Sequence, residues 1–215
     1  MTFGFDSAVA VVVDALDRLH TTARSHKRLM VVEVMGRHAG WIALHGGLGG
    51  GADVVLLPEI PFQMDKLVQL IKNRTQDGFG STMIVVAEGA KENGKELSTK
   101  SAKLRAKGEV RLGGLGERLA EQLEMLSGQE ARSVALGHLQ RGGTPSALDR
   151  ILATRFGVGA VRLIEQGKFG QMVSYLQYHV GGVPIAKAVG TLRTVDANSE
   201  MVVAARSVGI SFGDR

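Results

Sequence analysis

The chain of 215 residues contains no cysteine. Disulfide frameworks and thiolate metal sites are excluded by that alone, and a reducing cytoplasm is the expected setting. His20, His26, His38, His45 and His179 fall at no metal-ligand spacing. No GxSxG, HExxH or Walker A sequence is present. The glycine run GGLGGGAD follows a helical stretch and leads into a strand, the reverse of a dinucleotide fingerprint. The opening MTFGFDSAVAVVV lacks the basic flank and cleavage site of a signal peptide, and its apolar run at 8–13 is far too short to span a bilayer. Neither a secretory leader nor a membrane span is therefore expected. There is no internal repeat and no low-complexity linker.

What is abundant is glycine: 29 residues, roughly twice the ordinary share. Glycines between apolar runs suit close approach of backbone to a ligand, and equally suit tight turns. The net charge is +5, most of it from 91–111 (KENGKELSTKSAKLRAKGEVR), which holds seven Lys/Arg against three Glu. That stretch has no aromatic residue. It reads as a solvated loop, because a nucleic-acid surface would interleave its basic residues with stacking rings.

Helical and strand signals alternate along the chain. After Ser7, a candidate N-cap, Val9, Val12, Val13, Leu16 and Leu19 recur at helical spacing. Strands are expected at 29–35 (LMVVEVM), 54–57, 82–87 (TMIVVA) and 133–136. Helices are expected at 40–48, 63–72 and 115–126. Thr144-Pro145 resembles an N-cap with proline at the first helical position, opening a helix through Leu148, Ile151, Leu152 and Phe156. Further on, 180–185 is expected to be extended and 199–207 helical. Short apolar strands separated by helices imply parallel βαβ units.

In such sheets ligands sit beyond the carboxyl ends of the strands. Three strand ends deliver polar residues there: Met35-Gly36-Arg37, Glu88-Gly89, and His138 with Arg141 in ALGHLQRGG. Arginine presents a planar fork of donors that matches phosphate oxygens, and neighbouring glycines let backbone N–H groups approach an anion. His138 can donate to a phosphate. Ionised Glu88 accepts hydrogen bonds from sugar hydroxyls. Taken singly, each residue has an ordinary reading as a surface ion-pair partner, a structural histidine or a loop acid. Their coincidence at successive strand ends points to a phosphorylated polyol.

VEVMGRHAG, GGADVVLLPE, VVAEGA and LGHLQRGGTPSALDRILATRFG, in that order and with TFGFDSA ahead of them, resemble the C-terminal part of the 6-phosphofructokinase family. These enzymes phosphorylate fructose 6-phosphate with ATP or pyrophosphate as donor. The resemblance implies a three-layer α/β fold around a parallel sheet, with the N-terminal nucleotide-binding half missing. It implies a sugar-phosphate lobe at 1–140 plus 192–215, with 141–191 returning to the donor lobe. By the same resemblance Met35, Gly36 and Arg37 bind substrate, Arg37 also steadying charge on the transferred phosphoryl group. Glu88 holds the sugar hydroxyls, and His138 and Arg141 hold the 6-phosphate. Arg28 and Arg132 match arginines that reach into a neighbouring subunit's site, implying a homo-oligomer with shared active sites.

The family's GGDGS-like loop for donor phosphates and Mg²⁺, and its T-I-D-N-D-like segment with the catalytic Asp, do not occur in this sequence. Met1 is accordingly expected to be an internal methionine of a longer frame, and the chain alone to be inactive. The apolar face Leu148, Ile151, Leu152 and Phe156 is expected to lack a partner. Burial of a few hundred Å² lost at about 25 cal/mol per Å² amounts to several kcal/mol, so the chain is expected to be marginally stable or aggregation-prone. A non-catalytic sugar-phosphate-binding or interaction subunit that needs a partner chain is the second reading. A different sugar-phosphate enzyme is the third, with His38 or Glu88 as its base. No nucleic-acid or membrane partner is expected.

Overall fold

The computed structural model describes residues 2–93, 114–176 and 178–215. From its fourth residue onward the basic stretch at 91–111 lies outside them. In chain order the elements are α1 (Phe5–His26), β1 (Leu29–Val34), α2 (Trp41–Gly49), β2 (Val54–Leu56), α3 (Met64–Gln76) and β3 (Thr82–Ala87). They continue with α4 (Leu115–Ser127), β4 (Ala131–Ala135), a 3₁₀ turn (Gly137–Arg141) and α5 (Ala147–Glu165). The last are β5 (Gln171–Leu176), β6 (His179–Pro184), α6 (Ile185–Val189) and α7 (Glu200–Ser207).

All six residues of β1 are buried, as are all six of β3. A strand covered on both faces reads as a continuous apolar run, which is what LMVVEV and TMIVVA are. The sheet order is β2-β3-β1-β4, with every pair parallel. Alternation along β1 divides its side chains between two cores. Met30, Val32 and Val34 meet Val12 and Leu16 of α1, Leu44 of α2 and Val202 of α7 on one face. Leu29 and Val31 meet Leu67 and Ile71 of α3 and Leu119 and Leu123 of α4 on the other. The result is the three-layer α/β arrangement with helices on both faces of the sheet. At the outer edge of β2 the C-terminal segment adds a bridge, Val54 to Ser211, and buries Phe212 completely.

The described chain divides into two compact units, one of residues 1–8 and 143–193, the other of 9–142 and 194–215. The four-stranded sheet belongs wholly to the second. In the first unit α5 packs with the antiparallel β5–β6 hairpin. Only the second half of this hairpin was expected from the sequence. Its strands are half-exposed and carry Gly181-Gly182, so apolar contrast is weak. Its turn places Tyr178 at φ +66, a position that ordinarily signals itself by glycine. The Arg155 guanidinium steadies that turn by donating from Nη2 to the Tyr178 carbonyl at 2.6 Å.

Three boundaries differ from expectation. β4 begins at Ala131, because Leu29 pairs with Ala131 and so draws Ala131 and Arg132 into the ladder. The N-cap of α5 is Ser146, whose hydroxyl accepts the Asp149 N–H at 3.2 Å, and Pro145 precedes the cap. Ser7 is inside α1, not at its cap, and serves α5 instead. Its N–H and hydroxyl both donate to Oδ2 of buried Asp149, at 2.8 and 2.5 Å, and its Oγ accepts the Ser146 N–H at 3.0 Å. The apolar face of α5 departs from expectation only in part. Leu152 is buried and Phe156 meets Phe3 edge-on at 6.0 Å, whereas Leu148 and Ile151 are exposed, with Val158, Val161 and Ile164. Among the described residues no helix is long and apolar enough to cross a membrane.

Burial alone would raise the Asp149 carboxyl, but the hydrogen bonds from Ser7 and from the Gly4 backbone prevail and hold it below the ordinary carboxylate value. A depressed folded value means stability that is present above the unfolded value near 3.8 and is lost as pH falls through the folded one. Replacing Ser7 by Ala is expected to cost about 1.5–3 kcal/mol at pH 7, and less at pH 3. Urea unfolding of both proteins at the two pH values measures this; an equal loss at both would contradict it.

Candidate functional site

The register of the sheet brings three chain segments out at one level. Val34 lies opposite Ala87, and Glu33 opposite Ala135. The ladder continues one step past the strands: the Glu88 N–H donates to the Val34 carbonyl and the Leu136 N–H to the Glu33 carbonyl, both at 3.0 Å. Glu88 therefore stands beside Met35, and Leu136 flanks β1 on its other side one residue earlier, so the loops they begin form one rim.

Beyond that level the loops interlock through backbone. The Gly89 N–H donates to the Gly36 carbonyl at 3.1 Å. Gly36 has φ +151, and a Cβ there would sit 2.9 Å from the Ala39 carbonyl oxygen. A Cβ on Gly89 would lie 2.0 Å from the Arg37 carbonyl oxygen, inside its van der Waals surface. The two glycines thus let the loop after β3 lie directly against the loop that carries Arg37. Past Arg37 the chain enters α2, whose N-cap Gly40 has no side chain to cap with. Glu59 does so instead: both of its carboxylate oxygens accept the Gly40 N–H, at 3.0 and 3.1 Å, and Oε1 also accepts the Val195 N–H at 2.8 Å. A carboxylate at the positive end of a helix is favourable.

His138 and Arg141 ride on the 3₁₀ turn after β4. Arg37, His138 and Arg141 are exposed and Glu88 is half-buried. None of the four makes a side-chain hydrogen bond or ion pair with a described residue. Two arginines, an imidazole and a carboxylate thus keep hydrogen-bonding capacity that no described residue uses. Such a set can take an anion on one side and hydroxyl donors on the other.

Arg28 and Arg132 are elsewhere. They stand at the amino ends of β1 and β4, roughly 20 Å from the rim by strand rise. Both are engaged by one acid: Arg28 Nε donates to Glu130 Oε2 at 2.6 Å, and Arg132 Nη2 donates to Glu130 Oε1. Glu124 also lies 3.7 Å from Arg132. The hydrogen bond from Arg28, with the nearby positive charges, holds the Glu130 carboxyl below its usual value. So the structure brings Met35, Gly36, Arg37, Glu88, His138 and Arg141 together and does not bring Arg28 and Arg132 to them. Among the described residues no group of three His, Asp or Glu side chains is placed to hold a metal ion.

A family model described as Phosphofructokinase matches residues 1–164. The chain belongs to the phosphofructokinase family. The ATP-dependent 6-phosphofructokinase of Chloroflexus aurantiacus is 53% identical over 214 residues, which cover 99% of this chain and 58% of that protein. The pyrophosphate–fructose 6-phosphate 1-phosphotransferase of Streptomyces coelicolor is 50% identical over 212 residues, covering 99% of this chain and 60% of that one. The phosphofructokinase structure from Saccharomyces cerevisiae superposes with a TM-score of 0.71 at 31% identity, over 86% of this chain and 23% of that chain. The chain thus spans about three-fifths of the length of the Chloroflexus and Streptomyces enzymes. The phosphofructokinase fold accounts for the three-layer sheet and for the rim at its carboxyl end.

Three residues that shape this rim were not picked out from the sequence: Glu33, Glu59 and Gln140. Glu33 is buried beneath the rim, and its Oε2 accepts the Gly116 N–H at the start of α4, at 2.7 Å. Their signal in the sequence is faint: a single acid within the apolar run VVEVM, an acid after Pro58, and a glutamine between Leu139 and Arg141. Gly89→Ala should force the Arg37 loop away. The expected outcome is a changed emission spectrum of Trp41, the only tryptophan, and a loss of about 1–3 kcal/mol in unfolding free energy. An unaltered spectrum with unaltered stability would contradict the interlock.

Proposed function

We propose that this chain carries the fructose 6-phosphate half of a 6-phosphofructokinase that works in glycolysis in the cytoplasm. The observation that supports it is the group Arg37, Glu88, His138 and Arg141, gathered on one rim by strand register and making no side-chain hydrogen bond or ion pair with a described residue. His138 and Arg141 hold the 6-phosphate. Glu88 accepts hydrogen bonds from the ring hydroxyls. With both ends of the sugar fixed, its 1-hydroxyl is held in the direction of attack on the terminal phosphorus of the donor, ATP or pyrophosphate. As the phosphoryl group passes across, negative charge spreads over its oxygens, and the Arg37 guanidinium stabilises it there.

The donor, its Mg²⁺ and the base that removes the hydroxyl proton belong to segments this sequence does not include. The described residues do not fit a metal site. Arg28 and Arg132 serve a neighbouring copy: tied together by Glu130 at the far end of the sheet, they offer a cationic pair to the site of another subunit in a homo-oligomer. On this reading the chain binds sugar phosphate and does not turn it over.

Calorimetric titration tests the reading. Fructose 6-phosphate is expected to bind the wild-type chain, and His138→Ala and Arg141→Ala are each expected to weaken it about tenfold, the loss of one charge-assisted contact. Fructose without phosphate should show no such dependence. Wild-type binding that survives both substitutions together would contradict the assignment.

A further inference from the structure

Gln140 is 4% exposed, although it lies between the exposed residues Leu139 and Arg141. Its side-chain amide is used in two directions. Oε1 accepts the Met35 N–H at 3.2 Å, and Nε2 donates to the Gly137 carbonyl at 3.2 Å. Met35 is two residues before Arg37, and Gly137 is one before His138. A single buried amide therefore spans the loop after β1 and the turn after β4. The other backbone ties at this level join β1 to β3 or lie nearer the sheet: Gly89 to Gly36, Glu88 to Val34, Leu136 to Glu33.

We infer that Gln140 is a positioning residue that sets the distance between Arg37 and the His138–Arg141 turn, and so selects ligands with an anionic group at each end of a sugar. The inference rests on the sugar-phosphate reading above. Glutamine suits the place because both ends of its amide are satisfied there, one as acceptor and one as donor. A carboxylate would keep the Met35 bond but set an oxygen against the Gly137 carbonyl. An apolar side chain of the same length would leave a backbone donor and a backbone acceptor without partners. The turn itself does not need Gln140, since Leu139 N–H to Leu136 carbonyl, at 3.0 Å, and Gly142 N–H to Leu139 carbonyl, at 3.2 Å, close it from within.

That difference supplies the test. Inorganic phosphate needs only the His138–Arg141 turn, whereas fructose 1,6-bisphosphate needs the turn and Arg37 at the right separation. Both are titrated into the 215-residue chain as wild type, Gln140→Glu and Gln140→Met. The bisphosphate is expected to weaken about tenfold or more in both variants, with phosphate changed less than about twofold, because misplacing one of two groups penalises only the ligand that spans them. Equal weakening of both probes, or none in either, overturns the assignment of Gln140 alone. A wild-type chain that binds neither probe overturns the sugar-phosphate reading and this inference with it. Amide exchange in the wild type gives a check free of any variant: the Met35 N–H should be protected, and exchange at the rate of an open amide would overturn the bracket.

Discussion

β1 is hydrogen-bonded along both edges, in register with β3 on one side and β4 on the other, and buried on both faces. A shift of one residue on either side would turn apolar side chains from one core to the other and place Glu33 where Val32 or Val34 now packs. The pairing is therefore strongly specified. The same pairing decides where three loops leave the sheet. Everything proposed for the rim depends on Val34, Ala87 and Ala135 ending within one residue of the same level, because no side-chain hydrogen bond or ion pair joins Arg37, Glu88, His138 and Arg141 directly.

Two ends of one sheet show two electrostatic designs. At the amino end Arg28 and Arg132 share Glu130, with Glu124 close by. Exposed pairs of this kind contribute little stability singly. At the carboxyl end Arg37, Glu88, His138 and Arg141 pair with no described residue, while the backbone around them is tightly organised by Gly36 against Ala39, Gly89 against Arg37 and Glu59 on the Gly40 N–H. Rigid loops bearing free polar groups are what an anionic, hydroxylated ligand requires, since the chain is ordered before the ligand arrives.

β1, β2 and β3 were legible because burial on both faces leaves a signature that needs no partner to read, an apolar run rich in β-branched residues; β4, largely exposed, showed only a short run before a glycine. The strand ends, and with them Arg37, Glu88, His138 and Arg141, followed from the same runs. The β5 strand was not legible, since half-exposed residues in a hairpin turned by Tyr178 show neither apolar contrast nor turn glycine. The role of Ser7 was misread because a serine near a helix start looks the same whether it caps its own helix or serves another 142 residues away. Glu33, Glu59 and Gln140 were missed for a related reason. A buried polar side chain is recognised by the backbone groups it satisfies, and these come from segments distant in the chain.

The most direct measurement is a two-dimensional amide NMR titration of the chain with fructose 6-phosphate. The account predicts shifts confined to 35–40, 88–90 and 137–142, with the amides of Arg28 and Arg132 unmoved. Shifts centred on Arg28 and Arg132, or on α5 and the β5–β6 hairpin, would contradict the assignment of the rim as the sugar-phosphate site.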